Sequence, residues 1–253
     1  MDARPIIQVM DLSARYREET ILEHVTFDVR EGEIFGILGG SGSGKTTLLK
    51  HIVGLLHPHS GQVVIDGDEV HGDDRSAFAA VLKKIGILYQ GGALFGSMTL
   101  AQNIALPIEE HTELGAEVIS VAVRMKLALV HLTGYEDHLP SEISGGMKKR
   151  AALARAMALN PKILFFDEPS AGLDPVTSAG IDRLILHINR TLGTTMVIVT
   201  HELQSIFALT RRVILLDKDK KGVLVEGDPK DLRDHSPIPE VRRFFNRQAK
   251  NGT

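Results

Sequence analysis

Nine consecutive residues, Gly39-Gly40-Ser41-Gly42-Ser43-Gly44-Lys45-Thr46-Thr47, combine glycine, hydroxyl and lysine groups at a spacing suited to holding phosphate. They fit the pattern of glycine, four residues, then Gly-Lys-Thr. Glycines let the backbone curl so that successive amide hydrogens point at phosphate oxygens. A helix starting near Lys45 adds its positive end at the same place. Lys45 is expected to reach the β- and γ-phosphates, and the Thr46 hydroxyl to coordinate magnesium. The bland alternative is a chance match in a glycine-rich turn, which ordinary residue frequencies produce in roughly one chain of this length in a hundred.

A second group of chemistry-bearing residues follows an apolar run, Ile163-Leu164-Phe165-Phe166, which ends in Asp167-Glu168. An aspartate at such an edge can hold magnesium through water, and the glutamate after it can polarise an attacking water. Alone, an acid pair there is a solvated strand end; beside a phosphate loop it gains a function. Ser144-Gly145-Gly146 precedes an amphipathic stretch from Met147 to Leu159 and reads as an N-cap with a bare helix start. It is either simply a cap or a second anion-holding helix end, offered by another subunit to the open side of a γ-phosphate. His201 follows the run Met196 to Val199 and Thr200, where ligands gather in open α/β folds; it is either structural or a hydrogen-bond partner of the γ-phosphate or the attacking water. Gln90, after Ile85 to Tyr89, offers an amide to the metal. Tyr16, in a turn between N-terminal strands, offers a ring to a base.

These residues need a scaffold. Alternation at Ile7 to Leu12 and Val25 to Val29 reads as half-exposed strands of an antiparallel layer. Ile34 to Leu38, Ile85 to Tyr89, Ile163 to Phe166, Met196 to Val199 and Val213 to Leu216 are continuous apolar runs of the buried parallel kind. Helical patterns occupy Thr46 to Leu56, Gly146 to Leu159, Pro175 to Leu192 and Leu203 to Leu209. This alternation predicts a mostly parallel sheet covered on both faces. The interval from Gly91 to Ser141 holds a helical pattern at Ala116 to Leu132 and no convincing strand, so it reads as a helical insertion.

Composition sets the outer limits. The chain has 253 residues, 43% hydrophobic and 24% charged, with a formal net charge of -3. That apolar fraction excludes disorder, and 29 basic against 32 acidic residues disfavours binding nucleic acid by bulk charge. With no cysteine there is no disulfide, thiolate metal site or cysteine nucleophile, which fits a cytosolic setting. The start Met1-Asp2-Ala3-Arg4-Pro5 lacks a signal-peptide core, and no apolar run nears the roughly 18 residues of a membrane span. Any membrane role is expected to come through a partner. The 24 glycines exceed the roughly 7% of average usage, and several cluster at Gly39 to Gly44 and at Gly145-Gly146. His57-Pro58-His59 lacks the carboxylates that would complete a metal site. Lys148-Lys149-Arg150 reads as a solvated helical face, or as a contact for lipid headgroups or a partner. Phe244-Phe245 is either a packing anchor or a cover for a neighbouring subunit.

Taken in order, these segments resemble the ATP-binding cassette (ABC) ATPases over almost the whole chain. Ile143-Ser144-Gly145-Gly146-Met147 is similar to the family's signature sequence, with isoleucine for the usual leucine and methionine for the usual glutamine. Ser170-Ala171-Gly172-Leu173-Asp174 is similar to its D-loop. The resemblance makes Gln90 the Q-loop, His201 the switch histidine and Tyr16 the adenine platform. It implies an α/β P-loop NTPase fold with an N-terminal antiparallel layer and an inserted helical subdomain. The implied parts are a nucleotide-binding core at 1–90 and 163–236, a helical subdomain at 91–162 and a C-terminal tail at 237–253. It further implies ATP and Mg2+, with Lys45, Glu168 and His201 catalytic and Thr46, Gln90 and Asp167 around the metal. The family's active form is a head-to-tail dimer in which Ser144, Gly145 and Gly146 of one copy touch the ATP of the other.

Within that family, Gln90 to Leu100 with Asn103, Pro107 and Glu109 to Thr112 looks like the Mla group, which maintains outer-membrane lipid asymmetry. This implies phospholipid transport at the cytoplasmic face of the inner membrane. It also implies an integral membrane permease, a periplasmic lipid-binding protein and small accessory subunits, with no nucleic acid. An ABC ATPase for another cargo, such as an amino acid or metal complex, is the alternative. A cassette acting on DNA or ribosomes is disfavoured, because neither a long coiled coil nor a second cassette is present.

Overall fold

The computed structural model describes residues 4–70 and 75–248. Met1 to Ala3, and residues 249–253 of the expected tail, lie outside the described residues. In chain order the elements are β1 (Pro5–Tyr16), β2 (Glu19–Arg30), β3 (Ile34–Gly39), α1 (Lys45–Ile52), β4 (Ser60–Ile65), β5 (Asp68–Glu69), α2 (Arg75–Lys84), β6 (Ile85–Leu88) and α3 (Leu100–His111). Then come α4 (Ala116–Leu129), α5 (Gly145–Ala156), β7 (Ile163–Asp167), α6 (Pro175–Leu192), β8 (Thr195–Val199), α7 (Leu203–Leu209), β9 (Arg212–Asp217), β10 (Gly222–Gly227), α8 (Pro229–His235) and α9 (Pro239–Phe245). They form two compact units, one reaching to Phe78 and resuming at Val197, the other Ala79–Met196.

In the first unit, β1 pairs antiparallel with β2 and β4, and β4 with β5, which is the expected antiparallel layer. The inward side chains of β1 and β2, among them Ile7, Val9, Leu22, Val25 and Val29, are fully buried. β3 runs parallel to β9, and β10 returns antiparallel. Every residue of β3 is buried, as its continuous apolar run requires. Arg212 fastens this unit from the start of β9. Its guanidinium lies 3.1 Å from an Asp28 carboxylate oxygen, 2.9 Å from Glu33 and 3.4 Å from Glu226, over the Phe35 ring.

The tail differs from expectation in containing a helix. The i, i+4 residues Val241 and Phe245 of α9 are buried in one cluster with Leu38, Leu203, Ile206, Val213, Leu215 and Leu232. Of the two readings of Phe244-Phe245, packing holds for Phe245, which is 3% exposed and lies with its ring tilted against that of Phe207.

In the second unit, β6 runs parallel to β7, α5 packs on β6, and α3, α4 and α6 pack against α5. Asp174 caps α6, accepting from the Val176 and Thr177 amides at 3.0 Å each. Pro175 occupies the first turn, and Gly193 ends the helix in the left-handed region. Hydrogen bonding to Thr177 holds the Asp174 carboxyl below its usual range. The expected helix Gly146 to Leu159 runs only to Ala156, and the strand after Ile85 stops at Leu88, one residue short.

Gly86 shows how tightly α5 sits on β6. A Cβ there would lie 2.0 Å from the Ala156 carbonyl oxygen, which is backbone and cannot rotate away. Gly86→Ala is therefore expected to destabilise the protein by about 2–3 kcal/mol, visible as a thermal midpoint roughly 5–10 °C lower. An unchanged melting curve would contradict this packing.

Candidate functional site

The first unit carries the phosphate loop between β3 and α1. At Gly39, φ is +157°, and a Cβ would lie 2.2 Å from the Ser43 hydroxyl and 2.8 Å from the Leu216 carbonyl. At Gly44, the left-handed residue before α1, a Cβ would strike Leu22 at 2.7 Å. Glycine is thus demanded at both ends of the turn. No acidic side chain occupies the first turn of α1, and no side chain caps it, so its amides stay available to an anion. Lys45 Nζ donates to the Gly39 and Gly40 carbonyls at 2.9 Å each, which poises the ammonium over the loop. Thr46 and Thr47 follow in the first turn. A cavity of about 300 Å³ opens beside Gly40, Ser41 and Ser43, with Lys218 and Arg243 on its far wall.

His201, in the same unit, follows β8 and is exposed, its Nε2 3.8 Å from a Glu202 oxygen. The preceding Thr200 amide donates to Ile37 O of β3 at 3.3 Å, which ties this segment to the strand that feeds the loop. Tyr16 ends β1 with 69% of its surface exposed, and the Arg17 guanidinium lies 5.7 Å from its ring centroid.

The second unit carries the remaining predicted residues. Asp167 ends β7 and Glu168 follows; both are 8% exposed. Glu168 has φ of +50°, a left-handed backbone that costs a non-glycine residue roughly 1 kcal/mol or more. Its carbonyl accepts the Ala171 amide at 3.2 Å and Lys149 Nζ at 3.3 Å, which hold that turn in place. The same Lys149 Nζ donates to the Gln90 carbonyl. Lys149 thus joins Gln90 to the acid pair from the helix that Ser144 caps.

This corrects the reading of Lys148-Lys149-Arg150 as a solvated face: Lys149 is 7% exposed. Burial lowers its pKa, and the Asp167 and Glu168 carboxylates oppose that shift. The linear run does not single out Lys149, but helical spacing does. Gly146, Lys149 and Leu153 share one face, and all three are buried. Arg155 plays a similar part from the same helix. It donates to the Ala93 carbonyl at 2.7 Å and the Gly92 carbonyl at 3.0 Å, fastening the loop after Gln90. Buried Asn103 completes that loop, bonding Phe95 through both amide atoms.

Ser144 caps α5, its hydroxyl accepting the Met147 amide at 3.3 Å. Ser144 and Gly145 are exposed while Gly146 is buried. A Cβ on Gly146 would lie 2.5 Å from Thr177 Cγ2, so α5 begins pressed against α6. Ile143 is 8% exposed, so its side chain serves as an apolar anchor beneath the exposed turn.

A strand, a glycine loop, a lysine-bearing helix and a strand-end acid pair define a nucleotide-hydrolysing cassette. The ABC transporter family profile matches residues 22–171. The ATP-binding protein MlaF of the Escherichia coli K12 intermembrane phospholipid transport system is 39% identical over 95% of this chain and 88% of its own. A probable ribonucleotide transport ATP-binding protein of Mycobacterium leprae, mkl, is 40% identical over 95% of this chain and 68% of its own. Among solved structures, the dimeric cassette MJ0796 bound to ADP and Pi superposes with TM-score 0.79 at 31% identity, covering 88% of this chain and 98% of that one. Clostridium perfringens cbiO1 gives 0.83 at 28% identity, covering 93% and 92%. The chain belongs to the ABC transporter family. It has the ABC-ATPase fold and is the ATP-hydrolysing subunit of a transporter. No described helix is long and apolar enough to cross a membrane.

Proposed function

We propose that two copies of this chain close head-to-tail on two ATP molecules and drive phospholipids between inner and outer membranes through an integral membrane permease. The observation that carries the cargo reading is the 39% identity to MlaF over 95% of the chain. The chain then works at the cytoplasmic face of the inner membrane as a peripheral subunit. A periplasmic lipid-binding protein and small accessory subunits complete the assembly. Its nucleotide-binding core comprises 1–90 and 163–236, and its helical subdomain 91–162.

In this reading the amides of Gly40 to Gly44 hold the β- and γ-phosphates. Lys45 exchanges its two carbonyl partners for phosphate oxygens, a gain in charge complementarity. Thr46, Gln90 and Asp167 suit Mg2+ because all three offer oxygen, and Mg2+ takes few protein ligands beside substrate phosphates. Bound there, the ion supplies neutralisation of the charge that develops on the phosphates. Glu168 polarises the attacking water, and His201 donates to the γ-phosphate or orders that water. Tyr16 stacks on the adenine. Ser144, Gly145 and Gly146 of the second copy close the open side of the γ-phosphate, and Asp174 shapes the D-loop beside them. Closure by ATP and opening after hydrolysis follow from γ-phosphate contacts present in only one state.

Purification of the tagged chain from detergent-solubilised membranes tests the cargo. The expected co-purifying set is a permease, a lipid-binding partner and phospholipid. The mycobacterial relatives of 40% identity favour ribonucleotides as a second reading. Recovery of a solute-binding protein, for an amino acid or a nucleotide, without lipid would overturn the first reading.

A further inference from the structure

The second unit contains a cavity of about 370 Å³ lined by His131, Arg150, Gly180, Arg183, Leu184 and His187. Apart from Arg150, the last residue of the basic run on α5, it shares no residue with the motifs read above. Arg183, Leu184 and His187 lie three, four and seven residues beyond Gly180, so α6 presents all four on one face. α5 contributes Arg150, and His131 follows α4 with a left-handed backbone. Leu184, 4% exposed, forms the floor.

Two features of this pocket point to a ligand. No acidic residue lines it, and among the described residues the side chains of Arg150, Arg183, His131 and His187 make no ion pair or hydrogen bond. By contrast, Arg212 is satisfied by three carboxylates and Arg155 by two carbonyls. The Arg150 and Arg183 guanidinium groups line one concavity with no carboxylate between them, so they repel each other unless an anion joins them, and two imidazoles line the same pocket. The second feature is Gly180, inside an 18-residue helix. Glycine there costs roughly 1 kcal/mol relative to alanine. A Cβ would meet only the Arg183 guanidinium, at 4.0 Å, so packing does not require the glycine. Its absent side chain keeps the space beside Arg183 open.

We infer that this pocket binds a phosphate-bearing anion at a site separate from the nucleotide. Arginine forks match phosphate oxygens two at a time, and the imidazoles add further donors. The half-open concavity, with His131, Arg183 and His187 exposed at its rim, has room for a compact anion. The phosphate group can come free in solution or on a lipid headgroup, and the test separates these sources.

The full chain, saturated with MgADP so that the nucleotide loop is occupied, is titrated with inorganic phosphate while the ring signals of His131 and His187 are followed by NMR. In a second arm, vesicles containing phosphatidylglycerol are sedimented with the protein. Saturable shifts at both histidines assign free phosphate. Sedimentation without a response to phosphate assigns the headgroup. In either case, Arg150→Gln with Arg183→Gln is expected to weaken binding by roughly tenfold or more. Gly180→Leu, which fills the pocket with a better helix former, weakens it to a similar extent without lowering the melting temperature. Silence in both arms, or binding unchanged in both variants, overturns the inference.

Discussion

Glu168→Gln is expected to leave ATP bound and turnover nearly abolished. The substitution keeps size and shape, so the buried left-handed turn at residue 168 is preserved along with its carbonyl bonds to Ala171 and Lys149. What it removes is the carboxylate proposed to polarise water. General-base assistance contributes roughly 10²- to 10⁴-fold, so phosphate release should fall by at least about a hundredfold. ATP affinity should stay close to that of the unaltered protein, because the loop, Lys45 and Thr46 are untouched. Gel filtration with ATP should show a persistent dimer where the parent chain shows a transient one. Hydrolysis at the parent rate would remove Glu168 from the chemistry, and loss of ATP binding would make its role structural.

Lys149→Met should produce the second largest effect, through a residue that touches no nucleotide in the proposed mechanism. Methionine nearly fills the lysine volume but gives back neither of its hydrogen bonds. The carbonyls of Gln90 and Glu168 each lose a donor, at a cost of roughly 1–3 kcal/mol for each that stays buried and unpaired. Glu168 then loses one of the bonds that hold a backbone it would not otherwise adopt. The expected result is kcat down by roughly 10- to 100-fold with KM for ATP nearly unchanged, since Lys149 orients catalytic groups and does not bind phosphate. Lys149→Arg, which keeps a long charged donor, should recover part of kcat. A parallel rise in KM, or no recovery with arginine, would reduce Lys149 to a packing residue.

Lys149 also shows why some of the site was readable from sequence and some was not. The loop at 39–47, the acid pair and the signature cap are encoded by residues adjacent in the chain, bounded by the wholly buried strands β3 and β7. Their chemistry is local, so a linear reading finds it. Lys149 acts on carbonyls of residues distant in sequence, and main-chain acceptors leave no side-chain signature. The same holds for Arg155 on Gly92 and Ala93. Helix α3 had a legible signal in its Thr99–Gln102 capping box, whose reciprocal bonds measure 3.2 Å and 2.8 Å, although Pro107 interrupts the pattern that follows. Helix α9 had almost none. Two buried side chains, Val241 and Phe245, settle its position within a polar, basic stretch.

That late helix has a consequence for biosynthesis. The strand ending in the phosphate cradle leaves the ribosome early, but the oily cluster behind Leu38 is finished only by Val241 and Phe245, after the whole inserted unit has been made. A nascent chain therefore carries an incomplete core until residues up to Phe245 have emerged, and its exposed apolar surface is open to aggregation during that interval.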